Sequence, residues 1–104
     1  MSTDLQPYTL SFPHGYDAQA QFEAPFRGYL RNVIVEMEDG ARHQLSFIDM
    51  VRLEQNLADN GRMGHPYYTE PGLVILPEVS TEAIHLAVQG LWDEGYFRPM
   101  KMGT

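Results

Sequence analysis

From Tyr29 to Ile48 apolar and polar residues alternate on either side of Glu38-Asp39-Gly40, the period-two signature of a half-buried β-hairpin with strands over Tyr29 to Met37 and Ala41 to Ile48. The turn length decides which faces meet. A two-residue Asp39-Gly40 turn would set Val33, Val35 and Met37 against Ser46, Gln44 and Arg42, mixing apolar with polar. A three-residue loop closed by a left-handed Gly40 pairs Val33 with Leu45, Val35 with His43 and Met37 with Ala41, and sets Glu36 opposite Arg42. The second register sorts both faces and is the one expected, with Val33, Val35, Leu45 and Phe47 inside.

After the hairpin the period lengthens. Asp49 is placed to cap a helix over Met50 to Asp59, whose Met50, Leu53 and Leu57 recur on one face, with Asn60-Gly61 as its stop. Leu73-Val74-Ile75-Leu76 lies between Gly72 and Pro77, too short for a helix, and reads as a buried strand. Ser80 then caps a second helix with Glu82 in its first turn and Val79 and Ile84 spaced as a hydrophobic staple. Ile84, Ala87, Val88 and Leu91 form its inner stripe, Gly95 its stop, and Gly90 within it marks an expected close approach to another element.

Residues 1 to 27 are weakly patterned, with one strand at Tyr8 to Phe12 followed by Pro13-His14-Gly15 and a polar stretch rich in Gln and Ala. The element order is β-β-β-α-β-α. A helix joining two strands makes a right-handed crossover and sets those strands parallel, so the expected fold is a single α+β domain over 1–104: a two-layer sandwich, a mixed sheet of about four strands with two helices on one face.

Composition narrows the chemistry. With no cysteine the chain forms no disulfide, thiolate nucleophile or thiolate metal site. Fourteen Asp and Glu against seven Lys and Arg give a net charge of −7, which opposes nucleic acid and anionic membranes as partners. Met1-Ser2-Thr3-Asp4-Leu5 has neither the basic start nor the apolar run of a signal peptide, and a cytoplasmic location is expected.

His14, His43, His65 and His85 lack the spacing that puts two imidazoles on one metal, and no phosphate-binding or nucleophile motif occurs, so no metal, cofactor or catalytic residue is assigned. His43 falls on the apolar side of the hairpin and His85 on a helical face with Trp92, both packing positions. The segment Gly64-His65-Pro66-Tyr67-Tyr68-Thr69-Glu70-Pro71-Gly72 is the strongest candidate: two prolines restrict a loop that presents His65, Tyr67, Tyr68 and Glu70 together. The apolar C-terminal run from Tyr96 and Phe97 to Met102 either folds back onto the sheet or joins an interface.

Two readings follow. The first is a small acidic non-catalytic interaction domain, of the kind found among inhibitors, immunity-type and accessory proteins, which binds a protein partner or a second copy of itself. The second is a small enzyme or ligand-binding domain with a pocket beneath residues 64–72, where His65 would act as acid-base and Tyr67, Tyr68 or Glu70 would position a substrate.

Overall fold

A computed structural model describes residues 8–97. The chain runs β1 (Tyr8–Ser11), α1 (Ala18–Arg27), β2 (Tyr29–Met37), β3 (Arg42–Ile48), α2 (Met50–Arg62), β4 (Leu73–Ile75) and α3 (Thr81–Asp93). The four strands form one mixed sheet in the order β1-β2-β3-β4, antiparallel except for β4, which lies parallel to β3. This is the α+β class expected, with a third helix, α1, added in the weakly patterned N-terminal segment. The readings at Met1 to Leu5 and at 98–104 lie outside the described residues.

The hairpin adopts the register that separates its faces. Val33 pairs with Leu45, Val35 with His43 and Glu36 with Arg42. Gly40 sits at φ 91°, and its amide donates to the Met37 carbonyl at 3.0 Å, closing the three-residue loop. Val33, Val35, Leu45 and Phe47 are all at least 99% buried, and α3 covers them with Ile84 and Val88. Val79, Leu76 and Phe97 complete this core, so the C-terminal aromatic Phe97 folds back, its ring 5.0 Å from that of His43.

An irregularity in β2 was not foreseen. Between Leu30 and Val33 two residues, Arg31 and Asn32, oppose Ser46 alone, and Asn32 takes a left-handed φ of 67°. Strict alternation from Val33 would turn Arg31 and Tyr29 into the core. The extra residue instead returns Leu30 to the core side and turns Tyr29 to the opposite face of the sheet.

Several sequence expectations are corrected. The first predicted helix does not stop at Asn60-Gly61: α2 continues to Arg62, and Gly64, at φ 88°, is the residue that turns left-handed. The Asn60 carbonyl accepts from both Met63 and His65, which secures the later end. The run at Leu73 is an edge strand of three residues rather than a fully buried one, and Ile75 is half exposed. Gly90 does not mark a close approach among the described residues, since a side chain there would meet none of them within 4 Å. His85 packs against Phe12 rather than beside Trp92, which instead meets Tyr8.

The unforeseen helix α1 has clear caps: the Asp17 carboxylate accepts the Ala20 amide at 2.9 Å, and Gly28 at φ 68° ends the helix. Its inward side carries Ala24, buried to 3% exposure, whereas Phe22 and Phe26 stand 71% and 80% exposed. Helix α2 has no buried residue at all. The molecule measures 22 Å along its shortest axis. Its radius of gyration, 15.5 Å, exceeds the value of about 13 Å usual for a domain of this length.

Candidate functional site

The loop between α2 and β4 descends onto the sheet at Gly72. That residue takes φ 70°, and a β-carbon there would stand 2.3 Å from the Gln44 carbonyl oxygen, so only glycine allows the loop to approach β3 this closely. The Gly72 carbonyl accepts the Ser46 amide at 3.0 Å. This contact lays Glu70 over the β2 bulge, where the displaced Tyr29 donates its hydroxyl to the carboxylate at 2.7–2.8 Å. Tyr68 donates to the same carboxylate at 2.9 Å, and the Ser46 hydroxyl lies on the side of the sheet that faces it. Arg31 donates its Nε to the Tyr29 hydroxyl at 2.8 Å and stands 3.6 Å from Glu70.

Burial by itself would raise the Glu70 pKa. The hydroxyls of Ser46, Tyr29 and Tyr68 and the nearby Arg31 guanidinium outweigh burial, so the carboxyl is held below its ordinary value and stays ionised. The same geometry raises its donors. Burial first, and then the bond to Glu70, push Tyr68 up to about 12 and raise Tyr29. The guanidinium groups of Arg31 and Arg52 lie over the Tyr29 ring, 5.4 and 6.0 Å from its centroid.

Beside this cluster is a shallow cleft of about 370 Å³ lined by Arg31, Asn32, Gln44, Ser46, Glu70 and Pro71. Gln44 and Asn32 bond to each other across its mouth at 2.8 Å. Glu70 already accepts from Tyr29 and Tyr68, and both tyrosines hold their protons above the ordinary phenol value. A general acid or base works best with a pKa near the pH at which it operates, and neither the carboxylate nor the two phenols is in that range. The arrangement is a clamp that fastens the loop to the sheet.

The four residues singled out in the loop therefore part company. Tyr68 and Glu70 come together with Tyr29, Arg31 and Ser46 in the clamp. His65 and Tyr67 do not join them: both are exposed, with ring centroids 6.2 Å apart, and Asn60 ties their backbone to the end of α2. Tyr29, Arg31 and Ser46 were absent from the sequence-based candidates, although Arg31 in an otherwise inward parity carried a readable signal of the bulge.

A second surface has no counterpart in those candidates. The exposed Phe22 and Phe26 rings contact each other at 5.6 Å, and α2 leaves Met50, Val51 and Leu57 between 41% and 65% exposed. The helices converge where the Asp49 amide, at the start of α2, donates to the Gly28 carbonyl at the end of α1, at 3.0 Å. Comparison with known proteins identifies no match: no family model, curated protein or solved structure is similar to the chain.

Proposed function

We propose that this protein is a non-catalytic interaction domain that binds a protein partner through the uncovered faces of α1 and α2, in the cytoplasm. The observation that carries this reading is α2 itself, a capped amphipathic helix of 13 residues with no buried side chain. Its inner edge holds Leu53, Asn56 and Asn60, all half-buried. At about 100° per residue, the stripe of Met50, Leu53 and Leu57 is rotated about 60° away from that edge. An apolar stripe turned off its own sheet, on a helix whose start is bonded to the end of α1, and two phenylalanines turned outward on α1 are the kind of exposed apolar surface that marks a binding site. Aromatic rings and methionines are also the residues enriched at such contacts.

The alternative pocket beneath residues 64–72 finds less support. Its carboxylate, Glu70, and the Tyr68 phenol are occupied in the clamp, while Tyr67 and His65, the one group assigned an acid-base role, stand outside the cleft lining. The test is to retain or lose a native complex in two variants. Replacing Phe22→Ser and Phe26→Ser together should weaken the complex by at least tenfold, about 1.4 kcal/mol, with folding intact. His65→Ala should leave the complex unchanged. Full affinity in the double variant would end this reading, and turnover abolished by His65→Ala would replace it with the enzymatic one.

A further inference from the structure

We infer that the occupant of the α1–α2 surface is a second copy of this chain. The inference rests on the interaction reading above and specifies its partner. Its first ground is charge. The chain as a whole carries −7, which repels another copy over most of its surface. The two uncovered helices come closer to balance: α1 holds Glu23 against Arg27, and α2 holds Glu54 and Asp59 against Arg52 and Arg62, so that each is left with only its capping carboxylate, Asp17 or Asp49, which is engaged by the helix's own first-turn amide. A surface whose helical charges pair off and bear both signs can be complementary to itself, as a two-fold contact requires, because the same patch must serve on both sides.

The contrast with α3 sharpens this. That helix also exposes a large apolar residue, Leu86 at 75%, but it carries Glu82 and Asp93 with no cation and is followed by Glu94. A copy approaching there would bring like charges together.

The second ground is area. At 71% and 80% exposure, Phe22 and Phe26 offer about 300 Å² between them, and Met50, Val51 and Leu57 bring the total to roughly 600 Å². A standard interface covers about 800 Å² on each partner, of which about 450–520 Å² is apolar. The uncovered residues are therefore sufficient to supply the apolar part of one half of such a dimer.

Sedimentation of the full chain tests this. The expected result is a species of twice the 11.9 kDa chain mass at micromolar concentration, with an affinity that changes little with salt, since the contact is chiefly apolar. Phe22→Ser with Phe26→Ser should weaken self-association by about 30-fold or more, and Leu86→Ser on α3 should leave it unchanged. Hydrogen exchange of the unaltered protein supplies a reading that needs no variant: amides of α1 and α2 should gain protection as concentration rises. A dimer undiminished in the double variant overturns the inference. So does a protein that remains monomeric up to about 1 mM. In the monomeric case, a double variant as stable as the parent leaves the interaction reading standing with a different protein as partner. A double variant that loses stability as a core mutant does would show that the chain covers those rings itself, and both readings would fall.

Discussion

Helices α2 and α3 have 13 residues each and begin alike, with a side-chain oxygen accepting the amide three residues on: Asp49 from Arg52 at 2.8 Å, Ser80 from Ala83 at 3.1 Å. Both are amphipathic. Yet α3 buries Ile84 and Val88 completely, whereas α2 buries nothing. The difference arises at their entry points. The segment leading into α3 is anchored by Leu76 and Val79, both in the core, so the stripe that follows is aimed at the sheet. Asp49 begins α2 directly after the end of β3, and the residues that face the body of the protein are then set by Asn56 and Asn60 as much as by Leu53. Capping and periodicity specify that a helix forms. The direction of the preceding chain specifies what it covers.

The comparison can be broken most directly by truncation. Ile84→Ala should destabilise the protein by about 2–5 kcal/mol, and Phe47→Ala by about 3–5 kcal/mol, because each leaves a cavity in a fully buried cluster. Leu57→Ala should stay within about 0.5 kcal/mol of the parent. These values belong in the Phe22→Ser, Phe26→Ser background, where self-association no longer adds to apparent stability. A loss at Leu57 as large as that at Ile84, measured by denaturant unfolding, would mean that α2 is packed within one chain.

The next largest effect concerns the clamp that fixes the loop after α2. The Glu70 carboxyl has a folded pKa below its unfolded value, so at acid pH the unfolded chain binds the proton first. Its contribution is present above the unfolded value of about 4.3 and is lost as pH falls through the lower folded value. Tyr68 acts at the other end. Its folded pKa near 12 exceeds the ordinary 10, so its contribution is complete below pH 10 and lost as pH rises towards 12. Glu70→Gln should cost about 1–3 kcal/mol at neutral pH and flatten the acid limb of a melting-temperature profile. An acid limb identical in parent and variant would show that Glu70 is not the group responsible.

How far each region was legible follows from the range of its interactions. The hairpin register could be read because its two faces differ in polarity and a one-residue slip would exchange them. The bulge had a signal in Arg31, a cation that strict alternation would have buried. Helix α1 evaded a reading by periodicity because its alanine faces inward and its phenylalanines outward, although Asp17 and Gly28 bracket it in sequence. The loop was marked by composition, but the division of Tyr68 and Glu70 from His65 and Tyr67 depends on Tyr29, 41 residues away from Glu70, and no local pattern reports a contact at that distance.

The smallest expected effect separates the two helices again. Gly61 in the last turn of α2 and Gly90 within α3 both have helical backbone and nothing among the described residues within 4 Å of an added β-carbon. Alanine at either position removes the backbone entropy that glycine loses on folding, which is worth about 0.5–1 kcal/mol of helix stability. At Gly90 that gain should appear in full in global unfolding, because α3 forms the core and melts with it. At Gly61 the gain should be local. A helix with no buried side chain opens without unfolding the sheet, so Gly61→Ala should slow amide exchange across residues 50–62 while leaving the global transition nearly where it was. Equal shifts of the global transition from both substitutions would show that α2 unfolds together with the core, and the two helices would then differ in exposure alone.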